Sequence, residues 1–292
     1  MEILLFGKNG QLGSELRRCL LPLGPINALD KEDLDLSNPD AVAQIIQTVR
    51  PDLIINASAY TAVDQAENQP ELAFQINARA PEIMAQTAGE IGAAFIHFST
   101  DYVFDGTKNS PYHEKDLPNP LNVYGQGKLE GEQLILQASA AALIFRTSWV
   151  YSLRGDSFVT KTLAWARQHE TLRIVDDQVG SPTWARQLAE TTGVLLARAG
   201  REPVEYISKR RGLYHLAGKG AVSRLEFSRA VLALDPHRDE QRCREILPAR
   251  TADFPAPARR PLFTALDCSR FESTFDLTIP DWQHALRLAM DL

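Results

Sequence analysis

The sequence predicts an α/β protein: a Rossmann-type doubly wound parallel sheet with a smaller, partly interleaved C-terminal lobe. Over the first half of the chain, short apolar runs alternate strictly with stretches of helical spacing, and the first apolar run leads into a glycine-rich turn. Strands that are apolar throughout are buried on both faces, as in a parallel sheet covered by helices. After Tyr151 the alternation loosens, which indicates the second lobe.

Five buried strands are expected in the first half, covering residues 2–7, 26–30, 52–58, 93–100 and 141–151. The segments between them are predicted to be helices; the first shows Leu12, Leu16 and Leu20 on one face, and the second is ended by proline. They cover residues 11–24, 37–51, 70–92 and 127–139, and Gly92 is expected to cap the third of them. Right-handed crossovers would bring the carboxyl ends of all these strands to one edge of the sheet, where ligands bind.

In the second half of the chain, the sequence pattern predicts both helices and strands. The helices are at 157–168, 182–199, 223–234 and 281–292, the strands at 171–175 and 212–218, and residues 254–267 form a proline-rich loop that carries arginines. We expect residues 1–151, with parts of 171–220, to form the sheet domain. The remainder of about 152–292 would form the C-terminal lobe.

Composition excludes several classes of protein. The chain has 292 residues, of which 44% are hydrophobic and 23% charged, so disordered and fibrous classes are excluded. The net charge of −6 argues against nucleic-acid binding, although a local cluster of arginines can hold a small anion. Cys19, Cys243 and Cys268 form no metal-binding pattern, which favours reduced thiols in a cytoplasmic protein. Neither a secretory leader nor a membrane-spanning run is predicted.

The first strand is followed by three glycines in a GxxGxxG pattern, Gly7, Gly10 and Gly13. A diphosphate needs a tight turn, close backbone approach and the free N–H groups of a helix start. Close helix packing would explain the glycines almost as well, but their place at the first strand–helix junction favours a dinucleotide.

Asp30 ends the second strand about 20 residues further on, where an acid can bond the adenosine ribose hydroxyls. The alternative is a solvated or helix-capping aspartate. An acid at this position favours NADH, whereas Lys8 and Lys31 lie close enough in sequence to meet the 2′-phosphate of NADPH. The sheet domain is therefore expected to bind NAD(P).

Tyr124 and Lys128 lie four residues apart and share one face if the chain is helical there. A free tyrosine has a pKa near about 10, and a nearby ammonium would lower it toward neutral pH. This spacing alone is a common accident. Thr100, however, ends the fourth strand with a hydroxyl that could bind a substrate carbonyl, so together these residues predict a proton-transfer site. Gly125 and Gly127 are expected to leave room beside the nicotinamide or the sugar.

Three further residues near the same edge have open interpretations. Asp101 is either a second polar contact or a turn residue, and Trp149 either packs in the core or lines a sugar pocket. The histidines show no metal-ligand spacing, and His97, on a strand, is interpreted as a core histidine.

Several segments resemble the extended short-chain dehydrogenase/reductases, and among them the dTDP-4-dehydrorhamnose reductase family. They are LLFGKNGQLG, INASAYTAVDQAE, FSTDYVFDG, PLNVYGQGKLEGE, IFRTSWVY, LRIVDDQVGSPT and RPLFTALDCSRF, and they span nearly the whole chain. The first is generic to the superfamily, while RTSWVY and DDQVGSPT are more specific. The resemblance implies NAD(P)H-dependent reduction of the C4 keto group of a nucleotide sugar, dTDP-4-dehydro-L-rhamnose.

The resemblance also implies roles for individual residues. The catalytic residues would be Tyr124, Lys128 and Thr100. The cofactor, NADPH or NADH, would be lined by Gly7, Gly10, Gln11, Leu12, Gly13, Asp30, Asp35, Leu36, Ala59, Tyr60, Thr61, Phe98, Tyr124 and Lys128. Phe98 stands where the family often has tyrosine, so a cofactor contact there would lose its hydroxyl. The sugar would meet Thr100, Asp101 and Trp149, and our hypothesis places its diphosphate near Arg260.

Some members of this family form a Mg²⁺-linked dimer through clustered glutamates. Glu15 is in place, but Arg186 stands where a second acid is expected, and an arginine cannot ligate Mg²⁺. The resemblance allows Mg²⁺, but this substitution argues against the metal-bridged dimer. We expect no metal site in this chain and either a monomer or a weak homodimer.

Two other functions stay open on the sequence alone. An epimerase or 4,6-dehydratase would share the fold, but such a dehydratase typically has an Asp-Glu pair after the catalytic threonine, whereas Asp101 and Tyr102 follow Thr100. An epimerase recycles its cofactor, so net oxidation of NAD(P)H distinguishes it. A non-catalytic regulatory subunit that binds NAD(P) usually lacks the tyrosine or the lysine, and this chain keeps both.

Overall fold

The fold is an α/β sandwich around one parallel sheet, as a computed structural model shows for residues 1–138 and 140–291. The strands are β1 (Ile3–Phe6), β2 (Ile26–Leu29), β3 (Leu53–Asn56), β4 (Ala94–Thr100), β5 (Ala141–Thr147), β6 (Val150–Tyr151), β7 (Thr171–Val175), β8 (Val179–Gly180), β9 (Thr183–Trp184), β10 (Gly212–His215), β11 (Val222–Ser223) and β12 (Glu245–Ala249). The helices are α1 (Gln11–Cys19), α2 (Pro39–Val49), α3 (Val63–Ala66), α4 (Pro70–Phe74), α5 (Ala80–Ile91), α6 (Val123–Gln137), α7 (Phe158–Gln168), α8 (Ala185–Ala199), α9 (Pro203–Ser208), α10 (Arg224–Ala233), α11 (Ser269–Phe275) and α12 (Trp282–Met290).

The central sheet has six parallel strands in the order β10-β5-β4-β3-β1-β2, which confirms the predicted fold class. From β1 the chain passes to β2 on one side, and then to β3 on the other side of β1. The order therefore reverses at β1. In such sheets the carboxyl ends of the strands at the reversal form the crevice in which ligands bind.

Each face of the sheet is covered by helices, which explains why the strands are apolar without interruption. In β1, Ile3 and Leu5 pack in the core on one face, and Leu4 and Phe6 in the core on the other. All four side chains are at most 1% exposed. Successive side chains of a strand point to opposite faces of the sheet. The core on the first face includes helices α1 and α8, and the core on the second face includes helices α2 and α5.

The C-terminal half supplies both a strand of the central sheet and a separate layer. β10 completes the central sheet beside β5, whereas β7 pairs with β12 outside it. Of the predicted strands in 171–220, only 212–215 therefore joins the sheet. Two further short pairs, β6 with β9 and β8 with β11, form separate two-stranded sheets. The division into a sheet domain and a C-terminal lobe stays a prediction.

No helix in residues 1–138 and 140–291 is long and apolar enough to cross a membrane.

Two predicted elements differ in detail from the structure. The fifth strand breaks at Trp149, whose φ of 46° lies in the left-handed region that L-residues rarely adopt, so it divides into β5 and β6. The long helix of 70–92 contains a π-helical segment at Gln75–Arg79 and ends, as predicted, at Gly92 with φ 74°. Ser139 and Leu292, the last residues of two predicted helices, lie outside the described residues.

Helix α6 begins four residues earlier than predicted and carries glycines on the face that packs on the π-helical segment. The Asn122 side chain caps it by accepting a hydrogen bond from the Gly125 N–H at 2.8 Å. A Cβ on Gly125 would collide with the Tyr102 carbonyl oxygen, and one on Gly131 with the Asn77 carbonyl oxygen. These glycines therefore allow close helix packing. The expectation that Gly125 and Gly127 make room for a ligand was wrong, because their neighbours are protein atoms.

We expect Gly131→Ala to lower the free energy of unfolding by about 1–3 kcal/mol, because its Cβ would meet backbone that cannot move aside. Gly127→Ala is the matched control, since its Cβ would come no closer than 3.4 Å to Asn77. That change should be near neutral or slightly stabilising. Urea denaturation of both variants measures the difference, and equal stabilities would contradict the packing described here.

Candidate active site

The carboxyl ends of the central strands surround a long cleft. Its inner part is a cavity of about 530 Å³, lined by Gly7, Gly10, Gln11, Leu12, Asp30, Ala57, Ser58, Ala59, Thr61, Phe98, Ser99, Thr100, Asp101, Tyr124, Lys128, Thr147, Trp149 and Val150. Its outer part, of about 390 Å³, adds Lys31, Asp35, Leu36 and Tyr60 among others. The two parts share Gly7, Asp30, Ser58, Ala59 and Thr61, and we call them together the sheet-edge cleft.

The glycine turn after β1 forms one wall of the sheet-edge cleft and fits a diphosphate. Gly7 has φ 89°, and a Cβ there would lie 2.9 Å from the backbone of Ala57. Gly10 precedes α1 without a side-chain cap, so the first N–H groups of the helix stay available to a ligand. Gly13 does not line the cleft; a Cβ there would collide with the Gly7 carbonyl oxygen, so it serves helix packing.

Asp30 lines both parts of the sheet-edge cleft at the end of β2. Its carboxylate accepts hydrogen bonds from the N–H groups of Asn9 at 2.8 Å and Lys31 at 2.7 Å, which fix its orientation. An acid held in this way fits the ribose hydroxyls of a dinucleotide. The Lys8 ammonium is bound by Asp33 at 2.6 Å. One of the two predicted cations for a 2′-phosphate therefore already has a carboxylate partner, while the other, Lys31, lines the outer part of the cleft.

Helix α6 presents Tyr124, Lys128 and Glu132 at spacings of four residues. Glu132 forms a buried ion pair with Arg146 on β5, with Oε2–Nη2 at 2.6 Å and side chains only 2% and 4% exposed. Its Oε1 also accepts the Ser99 hydroxyl of β4 at 2.5 Å. The helix is thus bonded to both strands of the sheet directly below the catalytic candidates.

The Lys128 amine points into the protein behind the sheet-edge cleft. Its Nζ lies 2.7 Å from the Phe98 carbonyl oxygen and 2.9 Å from His97 Nε2. Burial lowers the pKa of Lys128 to about 7. His97 is therefore more than a core residue, because it contacts the lysine predicted to assist catalysis.

Tyr124 is half-buried at the wall of the cleft. Burial raises the pKa of its phenol, and the Thr100 hydroxyl opposes this rise. In the described part of the chain, Lys128 makes no hydrogen bond to Tyr124. The expectation that the lysine lowers the tyrosine pKa is wrong for this arrangement, since the amine is bonded to His97 and Phe98.

Asp101 and Trp149 form the far wall of the sheet-edge cleft. The Asp101 carboxylate accepts hydrogen bonds from Ser148 at 2.9 Å and Thr100 at 3.2 Å, and burial raises its pKa. The Trp149 indole packs on the backbone of Gly180, where a Cβ would collide with it. The two interpretations of Trp149 are therefore compatible, since one face of the site is formed by an indole that is packed on Gly180 and also lines the cavity.

The guanidinium of Arg224, at the start of α10, lies 3.4 Å above the Trp149 ring. Within residues 1–138 and 140–291 its side chain has neither a hydrogen bond nor a carboxylate partner. Burial lowers its pKa to about 10; Tyr102 and Asp101 oppose this shift, and the charge of Arg260 adds to it. A desolvated cation with another cation beside it is a suitable site for an anion.

Arg260 lies apart from the catalytic candidates. It lines a second cavity of about 520 Å³, with Gln178, Thr251 and Phe254 among its neighbours. Its Nη2 is bound by the Asp64 carboxylate at 2.8 Å, so this cation is already paired.

The surroundings of Glu15 do not fit Mg²⁺. The carboxylate is bound by both Arg18 and Arg186, each at 3.3 Å, so two positive charges lie where a cation would have to bind. Among the described residues, no group of three or more His, Cys, Asp or Glu could hold a metal ion. The two arginines place positive charge beside Glu15, whereas Glu190 lines the same cavity, and the absence of a metal site stays a prediction.

Sequence reasoning missed His97, Glu132, Arg146 and Arg224. Two of them had a visible signal: Arg146 is a charged residue within the apolar run of β5, and Glu132 lies four residues after Lys128 on the same helix. A charge in a strand buried on both faces needs a buried partner. Arg224 had no comparable signal, because its contact with Trp149 joins segments about 75 residues apart.

Comparisons with known proteins agree over the full length of the chain. The RmlD substrate binding domain family matches residues 1–292. The dTDP-4-dehydrorhamnose reductase of Escherichia coli strain K12 is 42% identical over 290 residues, which are 97% of this chain and 95% of the relative.

Solved structures give the same result. A dTDP-4-dehydrorhamnose reductase from Clostridium acetobutylicum has a TM-score of 0.90 and 34% identity, covering 100% of this chain and 99% of the other. The enzyme of the same name from Bacillus anthracis, in complex with NADP, has a TM-score of 0.88 and 32% identity, covering 99% and 98%.

We expect Lys128→Met to stabilise the protein more at acid pH than at alkaline pH. The folded pKa of Lys128 is about 7 and its ordinary value is 10.5, so the folded chain binds fewer protons between these values. The resulting penalty on the free energy of unfolding is greatest below about pH 7 and disappears above the unfolded pKa. Tm measured at about pH 6 and pH 9.5 should therefore favour the variant more at pH 6.

The control for this experiment is Lys209→Met, because Lys209 is exposed and paired with Glu205 on the surface. Its effect on Tm should change little between the two pH values. If Lys128→Met showed the reverse pH trend, Lys128 would not be held in a desolvating environment.

Proposed function

The chain belongs to the RmlD substrate binding domain family, and we propose that it is an NAD(P)H-dependent dTDP-4-dehydrorhamnose reductase. It would reduce the C4 keto group of dTDP-4-dehydro-L-rhamnose to give dTDP-L-rhamnose, a precursor of cell-surface polysaccharide. One observation carries the proposal: Tyr124 stands in a single cleft between a diphosphate-binding glycine turn and the Trp149 wall. The names of the relatives from Escherichia coli and Bacillus anthracis supply the substrate class and the cofactor.

The protein groups along the sheet-edge cleft suit NAD(P)H. When bound, the cofactor supplies a hydride to the substrate. The uncapped start of α1 would bind its diphosphate, Asp30 its adenosine ribose, and Phe98 would line the inner part of the cleft. NADH and NADPH are both kept as candidates, with the paired state of Lys8 in favour of NADH.

Tyr124 would donate the proton that completes the reduction. A hydride added to C4 leaves negative charge on the carbonyl oxygen, and the phenol proton of Tyr124 neutralises it as the alcohol forms. The Thr100 hydroxyl would hold the same oxygen, since it lines the cleft close to Tyr124. Lys128 would then pass a proton taken up from solvent to the phenolate, which restores the phenol after each turnover.

The substrate diphosphate would lie between Arg224 and Arg260. Arg224 is the stronger candidate, because it lacks a carboxylate partner among the described residues and covers the ring of Trp149. The sugar would then contact Trp149, Asp101 and Thr100 on the inner side of this cation. Arg260, paired with Asp64, would have to exchange that partner for phosphate.

The alternative functions are less well supported by the site. In a dehydratase of this superfamily a glutamate would follow Asp101, but here Tyr102 packs its ring edge-on against Tyr124, with centroids 5.8 Å apart. The intact Tyr124, Lys128 and Thr100 set argues against a regulatory subunit. The cytoplasmic location and the monomeric or weakly dimeric state stay predictions.

We expect Tyr124→Phe to reduce kcat for dTDP-4-dehydrorhamnose by about 10²–10⁴-fold, because the general acid is lost. The dissociation constant for NADH or NADPH should change little. Loss of NAD(P)H absorbance measures kcat, and quenching of protein fluorescence measures cofactor binding. Tyr206→Phe, on the surface helix α9, is the control. A fully active Tyr124→Phe would overturn the mechanism, and cofactor recycling without net oxidation would indicate an epimerase.

We expect Arg224→Met to raise KM for the nucleotide sugar by about 10- to 100-fold, because a charge-assisted contact to phosphate is lost. kcat should change much less, since this contact is made in both the ground state and the transition state. Arg229→Met is the control, because Arg229 lies on the same helix but pairs with Glu226 on the surface. An unchanged KM in Arg224→Met would remove Arg224 from the substrate site.

A further inference from the structure

A buried row of polar groups leads from the glycine-turn side of the cleft to Lys128. Asn56 ends β3 and His97 lies beside it on β4; both are 0% exposed, and Lys128 is 1% exposed. Asn56 Nδ2 is 3.1 Å from His97 Nδ1, and His97 Nε2 is 2.9 Å from Lys128 Nζ. Ser58 closes the row on the far side of Asn56.

The Ser58 backbone fixes the orientation of the Asn56 amide. A backbone N–H can only donate, so the Asn56 atom that faces it at 3.0 Å must be the carbonyl oxygen Oδ1. The Ser58 hydroxyl donates to the same oxygen at 2.5 Å. The NH₂ group of Asn56 therefore faces His97 Nδ1. Because NH₂ can only donate, Nδ1 must be the acceptor and carries no proton.

The proton of His97 must then be on Nε2, which faces Lys128. An ammonium has three donors and no lone pair, so it could not accept this hydrogen bond. A neutral amine can accept it and still donate to the Phe98 carbonyl oxygen at 2.7 Å. Each contact in the row then joins a donor to an acceptor. With a charged Lys128, one donor–donor contact would remain in a fully buried place.

We propose that Asn56 and His97 are positioning residues that hold Lys128 as a neutral amine, through a proton fixed on His97 Nε2. The other charged and titratable groups around them do not reverse this effect. Glu132 favours the ammonium but is paired with Arg146, and Tyr124 and Asp101 line the cleft on the other side. Burial acts in the same direction, because it lowers the pKa of His97 well below its ordinary value and that of Lys128 to about 7.

This arrangement has a use in the proposed reductase, on which the kinetic part of the inference rests. After Tyr124 gives its proton to the alkoxide, the phenolate must regain one. A neutral Lys128 whose pKa lies near the working pH can take up a proton from solvent and then pass it to the phenolate, whereas an ordinary lysine holds its proton too firmly. Asn56 and His97 would thus set the pH range in which the proton is resupplied.

The first test needs neither substrate nor cofactor. Long-range ¹H–¹⁵N correlation spectra of the wild-type protein should show His97 with a proton on Nε2 and a bare Nδ1. The ¹³Cε signal of Lys128, assigned by its loss in Lys128→Met, should titrate with a midpoint near 7, several units below the surface lysines. A proton on Nδ1, or a Lys128 midpoint above about pH 9, would overturn the inference.

The second test uses Asn56→Asp. Its carboxylate can accept from both Ser58 and a proton on His97 Nδ1, so Nε2 becomes an acceptor for the Lys128 ammonium. The alkaline limb of the pH profile of kcat/KM should move up by about one pH unit or more. Asn56→Leu removes the amide donor without adding charge and should move the limb in the same direction. Asn27→Asp, exposed on β2, should leave it in place.

The outcomes separate this inference from the proposed function. Folded Asn56→Asp and Asn56→Leu with unshifted alkaline limbs would overturn the role of Asn56 and His97 while leaving the reductase intact. If the wild-type protein reduced no 4-keto nucleotide sugar, the reductase proposal would fail. The His97 and Lys128 spectra would still decide whether Lys128 is held neutral.

Discussion

The buried ion pair between Glu132 and Arg146 is the interaction on which the geometry of the site depends. It bonds α6 to β5, and through the Ser99 hydroxyl to β4. Burying two charges is costly, and removing either partner leaves the other uncompensated in the interior. The main effect of the pair is therefore to fix how α6 sits on the sheet, rather than to stabilise the fold. It fixes the one rotation of α6 that turns Tyr124 toward the cleft and Lys128 toward His97.

Burial shifts the pKa values of the two catalytic candidates in opposite directions, and each shift favours the uncharged form. It raises the pKa of the Tyr124 phenol and lowers that of the Lys128 amine. A tyrosine and lysine four residues apart on a helix are usually pictured as an acid beside a cation. Here the lysine is directed to the sheet by Phe98 and His97, so its charge depends on the hydrogen-bond partners behind it rather than on the tyrosine in front.

Much of this architecture could be predicted from the sequence, because its signals are local. Apolar runs gave the strands, and Gly92 ended the third long helix as its αL conformation requires. The family resemblance, which rested on short contiguous segments, is confirmed by the match over residues 1–292. What escaped prediction depends on pairing between distant segments: the break at Trp149, the pairing of β7 with β12 outside the central sheet, and the partners of Lys128. No periodicity shows that a strand histidine will meet a helix lysine.

The late position of β10 in the chain has a consequence for biosynthesis. β5 is an inner strand of the sheet only once β10 has paired with it, and about 65 residues separate the end of β5 at Thr147 from the start of β10 at Gly212. Until the ribosome has released that segment, β5 is an exposed apolar edge of the type that invites intermolecular pairing. The Trp149 wall likewise lacks Gly180 and Arg224 until later in translation. An incomplete chain with this edge exposed is prone to aggregation, and the Trp149 wall is completed only after Arg224 has been synthesised.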